Sequence, residues 1–184
     1  MIGLVASLLT GVVLGKWVFA LAAIPYVLRL KSRNLSLIAF YLYVLVLMFY
    51  VPGGSIYTHS GLVTAVSSAA SVFLLLDDVL RGVRIGRREL VTAAVLLASA
   101  VYDYAFIIAL IGVVLYVSYT YFGRGAYYLA GWMTSSVVVI YLLRNSLVTP
   151  VMQSFVLIGL GLIFLILAER RDVKFLEVDL FEEE

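Results

Sequence analysis

The segment 100-AVYDYAFIIALIGVV-114 decides how the chain is read. It sets one aspartate, Asp103, between two tyrosines in the middle of a stretch, Leu90 to Phe122, that carries no other charge. Either this stretch is one long helix with a carboxylate in its middle, or it is two helices with Asp103 at a turn. A single helix would be about 50 Å long at 1.5 Å per residue, well beyond a hydrocarbon core of about 30 Å.

The composition makes that core relevant. The 184 residues are 64% hydrophobic and 13% charged, with a mean hydropathy of +1.11. This lies outside the range of soluble globular domains and within that of polytopic membrane proteins. Hydrophobicity runs from Ile2 to Ala168 with no polar stretch large enough to build a soluble catalytic domain. The absence of cysteine and the single histidine argue against disulfides, thiol chemistry and ordinary zinc sites. No cofactor-binding motif occurs. A net charge of +2 gives no reason to expect a nucleic-acid partner.

Crossing a bilayer takes about 17 to 25 helical residues, because backbone groups cannot stay unpaired in lipid. The sequence predicts an all-α fold of seven transmembrane helices, residues 2–28, 35–51, 56–76, 90–102, 104–122, 126–143 and 151–168, followed by a charged tail, 169–184. Breaks are marked by 29-RLKSRN-34, 52-PGGS-55, 77-DDVLRGVRIGRRE-89, 123-GRG-125 and 144-RNSLVTP-150.

Charge then sets the sides, because cytoplasmic loops concentrate Lys and Arg. With a turn at Asp103, Arg29, Lys31, Arg33, Arg81, Arg84, Arg87, Arg88, Arg124, Arg170, Arg171 and Lys174 share one side, and only Lys16 and Arg144 fall elsewhere. The expected topology is an N-terminus outside and a C-terminus in the cytoplasm of a multi-pass cell-membrane protein. The cost is a fourth helix of only about 13 residues, whose ends neighbouring helices must shield.

Few polar residues are placed to carry chemistry. Lys16, in 11-GVVLGKWVFAL-21, is either a charge deep in the first span or a side chain reaching the outer interface beside Trp17. His59, in 56-IYTHSG-61, stands at the outer end of the third span, as a proton-responsive group or as an ordinary interfacial polar residue. Arg144 lies outside against the charge trend and is a charge-balancing partner for Asp103. Asp77 and Asp78 end the third span and are expected to pair locally with Arg81 and Arg84. No second acidic cluster accompanies them to hold a metal, and no second intramembrane acid accompanies Asp103 for aspartyl-protease chemistry. Catalysis is not expected.

The run 80-LRGVRIGRRELVTAAVLLASAVYDYAFIIALIGVVLYVSYTYFGRG-125 resembles the small F subunit of multisubunit Mrp-type sodium/proton antiporters and the related subunits of membrane-bound hydrogenase-like complexes. In that family a helix ends in an Arg-Gly loop, a short helix follows, and an aspartate opens the last helix with a pattern like D-x-A-x-x-[IV]-A-L-[LI]-G. Arg81 and Gly82 match the loop, and Asp103, Ala105, Ile108, Ala109, Leu110, Ile111 and Gly112 match the pattern. Val95 stands where the family places an intramembrane aspartate.

The resemblance covers residues 58–125 and implies a non-catalytic accessory subunit, supporting ion movement or assembly among other polytopic subunits in the bilayer. A self-sufficient small transporter or channel, with Lys16, His59, Asp103 and Arg144 at its outer mouth, is the alternative. An intramembrane enzyme ranks third.

Overall fold

In the computed structural model, residues 1–51, 54–82, 86–123 and 125–167 are described, and all regular structure among them is helical. Tyr121, Phe122 and Pro150 are described by their backbone alone. Arg84, Arg124 and the tail from residue 169 lie outside the described residues. Among the described residues, eight α-helices follow in chain order: α1 (Ile2–Leu14), α2 (Ala23–Arg29), α3 (Arg33–Tyr50), α4 (His59–Arg81), α5 (Arg87–Ser99), α6 (Asp103–Phe122), α7 (Gly125–Leu142) and α8 (Pro150–Leu167). A 3-10 helix, Trp17–Ala22, joins α1 to α2.

Four of the helices are long and apolar enough to cross a membrane: α3, α4, the Asp103–Thr120 part of α6, and α7. The shorter apolar segments are Ile2–Leu14, Trp17–Arg29 and Val151–Leu167. α3 illustrates the membrane character. Ser36, Phe40, Tyr43 and Leu47 form its buried stripe, while Ile38, Leu42, Leu45, Met48 and Phe49 are exposed. A soluble helix would set polar residues there.

The chain forms two compact units, Met1–Val114 and Leu115–Glu184. In the first, the expected continuous helix over 2–28 is replaced by a reversing pair, for three local reasons. Gly15 takes the left-handed conformation, φ 62° and ψ 31°. Its N–H donates to the Val12 carbonyl and that of Lys16 to the Gly11 carbonyl, the paired bonds of a Schellman stop. Pro25 has no N–H and its ring crowds the carbonyl four residues back, so the approach to α2 tightens into a 3-10 turn. Gly11 provides the clearance for the return, because a Cβ there would meet Phe19 Cβ at 2.9 Å and the Lys16 carbonyl at 3.0 Å.

Both ends of the pair therefore lie at one end of α4. Met1 binds Asp78, and the Arg29 guanidinium covers Gly82, whose added Cβ would stand 3.4 Å from Arg29 Nη2. A single crossing by residues 2–28 would set the N-terminus at the opposite helix end from Arg81, whereas Met1 lies at the same end of α4 as Arg81. The hydrophobic run is long enough for one crossing, but Gly15 turns it back.

α1 packs antiparallel on α4 through small residues. Gly3, Ala6, Ser7 and Thr10 make up its buried face, and a Cβ on Gly3 would collide with the Leu74 carbonyl and Leu75 Cα. In lipid there is no hydrophobic drive between helices, so dispersion at such close approach provides the attraction. The returning segment buries Val18, Phe19 and Ala22 against Phe40, Tyr43 and Leu47 of α3 and Leu75 and Val79 of α4.

The stretch from Leu90 to Phe122 is two helices. α5 ends at Ser99, residues 100–102 turn, and Asp103 opens α6.

In the second unit α7 and α8 pack as an antiparallel pair. Trp132 Nε1 donates to the Leu157 carbonyl at 3.0 Å. Gly161 and Gly131 leave room for the rings of Trp132 and Phe164. Thr149 Oγ1 accepts from Met152 N as α8 begins. The buried Gln153 donates back to the Leu147 carbonyl at 3.0 Å, tying the connecting loop to α8.

Candidate functional site

The polar groups of the first unit occupy three levels: two helix ends and a seam of hydroxyls between them.

At the end where α4 finishes, Asp77 and Asp78 divide their work. Neighbours on a helix point about 100° apart, so both cannot face one partner. Asp77 Oδ1 takes Arg81 Nε at 2.6 Å, the expected i, i+4 pair. Asp78 instead faces α1: Oδ1 accepts from the Met1 ammonium at 2.7 Å, and Oδ2 from Gly3 N at 2.8 Å and Leu4 N at 3.3 Å. The partners of Asp78 thus lie on α1 rather than at Arg81, while Arg84, the other expected local partner, lies outside the described residues. The first N–H groups of any helix lack intrahelical partners and form the positive end of its dipole. A carboxylate on a neighbouring helix satisfies both needs.

At the opposite end, His59 opens α4 and Asp103 opens α6. His59 Nε2 stands 3.2 Å from Asp103 Oδ2, and Nδ1 stands 2.9 Å from the Tyr104 hydroxyl. The two rings tilt against each other with centroids 4.8 Å apart. Thr58, the N-cap of α4, fixes the start of that helix by accepting from Gly61 N and donating to the Ser55 carbonyl. The cluster is a latch between the first turns of α4 and α6. Since His59 and Asp103 are each about half exposed, its electrostatic value is that of a surface pair.

The other sequence candidates stand apart from this latch. Lys16 is exposed at the tip of the α1–α2 reversal, between Gly15 and Trp17. Trp17 packs edge-on against Tyr50, the last residue of α3, with ring centroids 6.3 Å apart. This places Lys16 toward the Tyr50 end of α3. Arg144 lies in the α7–α8 loop of the second unit, and the partner the structure gives Asp103 is His59. Val95, on α5, is exposed.

The third level is not among the sequence candidates. Ser7 and Thr10 of α1, Tyr43 of α3, and Ser67 and Ser71 of α4 are all buried. Thr10 Oγ1 donates to the Ser67 carbonyl at 3.5 Å. Ser71 Oγ donates to the Ser68 carbonyl at 3.0 Å. The hydroxyls of Ser7, Tyr43 and Ser67 have no hydrogen-bond partner among the described residues, although those of Tyr43 and Ser7 lie near one another. The signal was the spacing of Gly3, Ala6, Ser7 and Thr10 on one helical face, which a reading by hydropathy alone passes over.

Among the described residues, no three His, Cys, Asp or Glu side chains group so that they could hold a metal ion. Comparison with known protein families, with curated proteins and with solved structures finds no match to this chain.

Proposed function

We propose that the chain is a non-catalytic accessory subunit of a multisubunit cation/proton antiporter or ion-translocating redox complex in the cell membrane. The observation that carries this reading is the order of elements over residues 59–122. A helix stops at Arg81-Gly82, a 13-residue α5 follows, and Asp103 opens α6. This is the arrangement that the resemblance to the F subunit implies. Exposed apolar side chains on α3, α5 and α6, among them Met48, Phe49, Leu97 and Ile108, suit lipid or neighbouring subunits.

The reading also revises the topology. Met1, Arg29 and Arg81 are taken to share the cytoplasmic side, with residues 2–29 entering and leaving from it. Six crossings by α3 to α8 then satisfy the charge rule, Lys16 and Arg144 apart. α5 is the short member among them.

Gentle extraction from the native membrane tests the function. Stoichiometric co-elution with large polytopic proteins is expected. Elution alone, with ion transport after reconstitution into liposomes, would refute the subunit reading. It would favour the second one, a self-sufficient small transporter or channel, for which the hydroxyl seam between α1, α3 and α4 speaks.

A further inference from the structure

Several helical hydroxyls in this protein are satisfied locally. Ser71 donates to the Ser68 carbonyl, Ser99 to Leu96, Ser135 to Trp132, Thr92 to Arg88 and Thr120 to Tyr116. This return to the preceding turn is the usual recourse of Ser and Thr in a helix. Ser7 and Ser67 do not use it, though both are 0% exposed, and Ser68, Ser118 and Ser136 likewise have no partner among the described residues. Tyr43, 3% exposed, cannot use it, because a phenolic oxygen stands too far from its own backbone.

Four hydroxyls of the first unit thus have no partner among the described residues; Ser68 is only partly buried, and the other three, those of Ser7, Tyr43 and Ser67, belong to buried residues on three helices. Their levels are close. Gly3 abuts Leu74 and Leu75, and Thr10 meets Ser67, so the antiparallel register sets Ser7 beside Ala70 and Ser71. The Ser7 and Tyr43 hydroxyls lie near each other without closing a direct bond. The facing residues Ala6 and Ala70 are short.

We propose that Ser7, Tyr43 and Ser67 form an internal water-binding site at the junction of α1, α3 and α4. Each hydroxyl can both donate and accept. The set carries no charge, and both acids of α4 are engaged, Asp77 with Arg81 and Asp78 with Met1, Gly3 and Leu4. That favours a neutral molecule able to donate and accept, rather than a bare cation. A buried water typically makes about three hydrogen bonds to groups otherwise left unpaired. The site stands on these hydroxyls alone and holds whichever functional reading is correct.

Two measurements on the full-length protein in detergent or nanodiscs test it. In X-ray radiolytic footprinting, radicals form from water at the site. Tyr43 is expected to be oxidised several-fold faster than the equally buried Phe19, with Ser7→Ala lowering that rate. Oxidation of Tyr43 no faster than that of Phe19 would overturn the site.

In thermal unfolding, Ser7→Ala and Ser67→Ala are each expected to lower Tm by a few degrees, with the double variant losing less than the sum. Unchanged or raised Tm values would mean that an unpaired hydroxyl had been relieved of its burial, and would also overturn the site. A Tm that rises with sodium but not with an equal concentration of choline would replace water by a cation and equally contradict the proposal.

Discussion

Replacing Asp78 by alanine should destabilise the protein far more than the same change at its neighbour, Asp77. The Asp78 carboxylate accepts from the Met1 ammonium and from Gly3 N and Leu4 N, and its side chain is only 11% exposed. Losing a helix cap costs about 1 kcal/mol. Removing one partner of a buried charge pair costs about 3 to 5 kcal/mol where burial is complete. Because Met1 keeps some solvent contact, we discount that range and expect a total of about 3 kcal/mol.

Asp77→Ala loses one i, i+4 pair, worth about 0.5 kcal/mol. For a chain of this size, 1 kcal/mol moves Tm by about 2 to 4 °C. Asp78→Ala should therefore lower Tm by roughly 6 to 12 °C and Asp77→Ala by about 2 °C or less. Asp78→Asn, which keeps an acceptor for the α1 N–H groups, should fall between. Thermal unfolding in one detergent, monitored by tryptophan fluorescence, measures all three. Equal effects at the two aspartates would refute the docking of α1 on Asp78.

Other substitutions probe the same arrangement. Gly3→Val should part α1 from α4, since a side chain there runs into the α4 backbone. A Tm drop larger than that of Gly159→Val, whose Cβ would meet nothing within 4 Å, checks this. Gly15→Ala should cost about 1 to 2 kcal/mol from the left-handed backbone alone, because its Cβ would also meet nothing. Gly15→Asn, which tolerates that conformation better, should recover part of the loss in the same unfolding assay. His59→Ala should change stability by less than about 1 kcal/mol, since both partners of the Asp103 pair are half exposed. A Tm shift above about 4 °C would contradict it.

The sequence made some features legible and hid others, for identifiable reasons. The break at Asp103 could be read without Gly or Pro because charge and length both opposed a single helix of about 50 Å. The helix ends at Arg81 and Phe122 were likewise marked, by Gly82 and Gly123, both of which adopt positive φ. Residues 2–28 misled because hydropathy registers only that a run is apolar and long enough. Gly15 and Pro25 were visible, but each is tolerated within membrane helices when neighbours satisfy the freed backbone.

The pairing of Asp78 with α1 was out of reach, since the partner groups are backbone N–H groups 74 and 75 residues away. His59 and Asp103 were both recognised as outer-end residues. Their contact depends on how α4 and α6 begin beside each other, and no spacing encodes that. The small residues of 64-TAVSSAAS-71 suit close helix packing, and Ser67, Ala70 and Ser71 are buried on α4.

The reversal of residues 2–29 is the central claim, and one distance tests it most directly. The chain contains no cysteine, so Ile2→Cys together with Leu30→Cys gives a specific pair of spin labels in the otherwise native protein. In a continuous helix the two positions would be about 42 Å apart at 1.5 Å per residue. With Met1 held at Asp78 and Arg29 over Gly82, both within the last turns of α4, pulsed dipolar spectroscopy should give a distance below about 20 Å, roughly two helix diameters. A distribution centred near 40 Å would contradict the reversal and the placement of the N-terminus beside the basic end of α4.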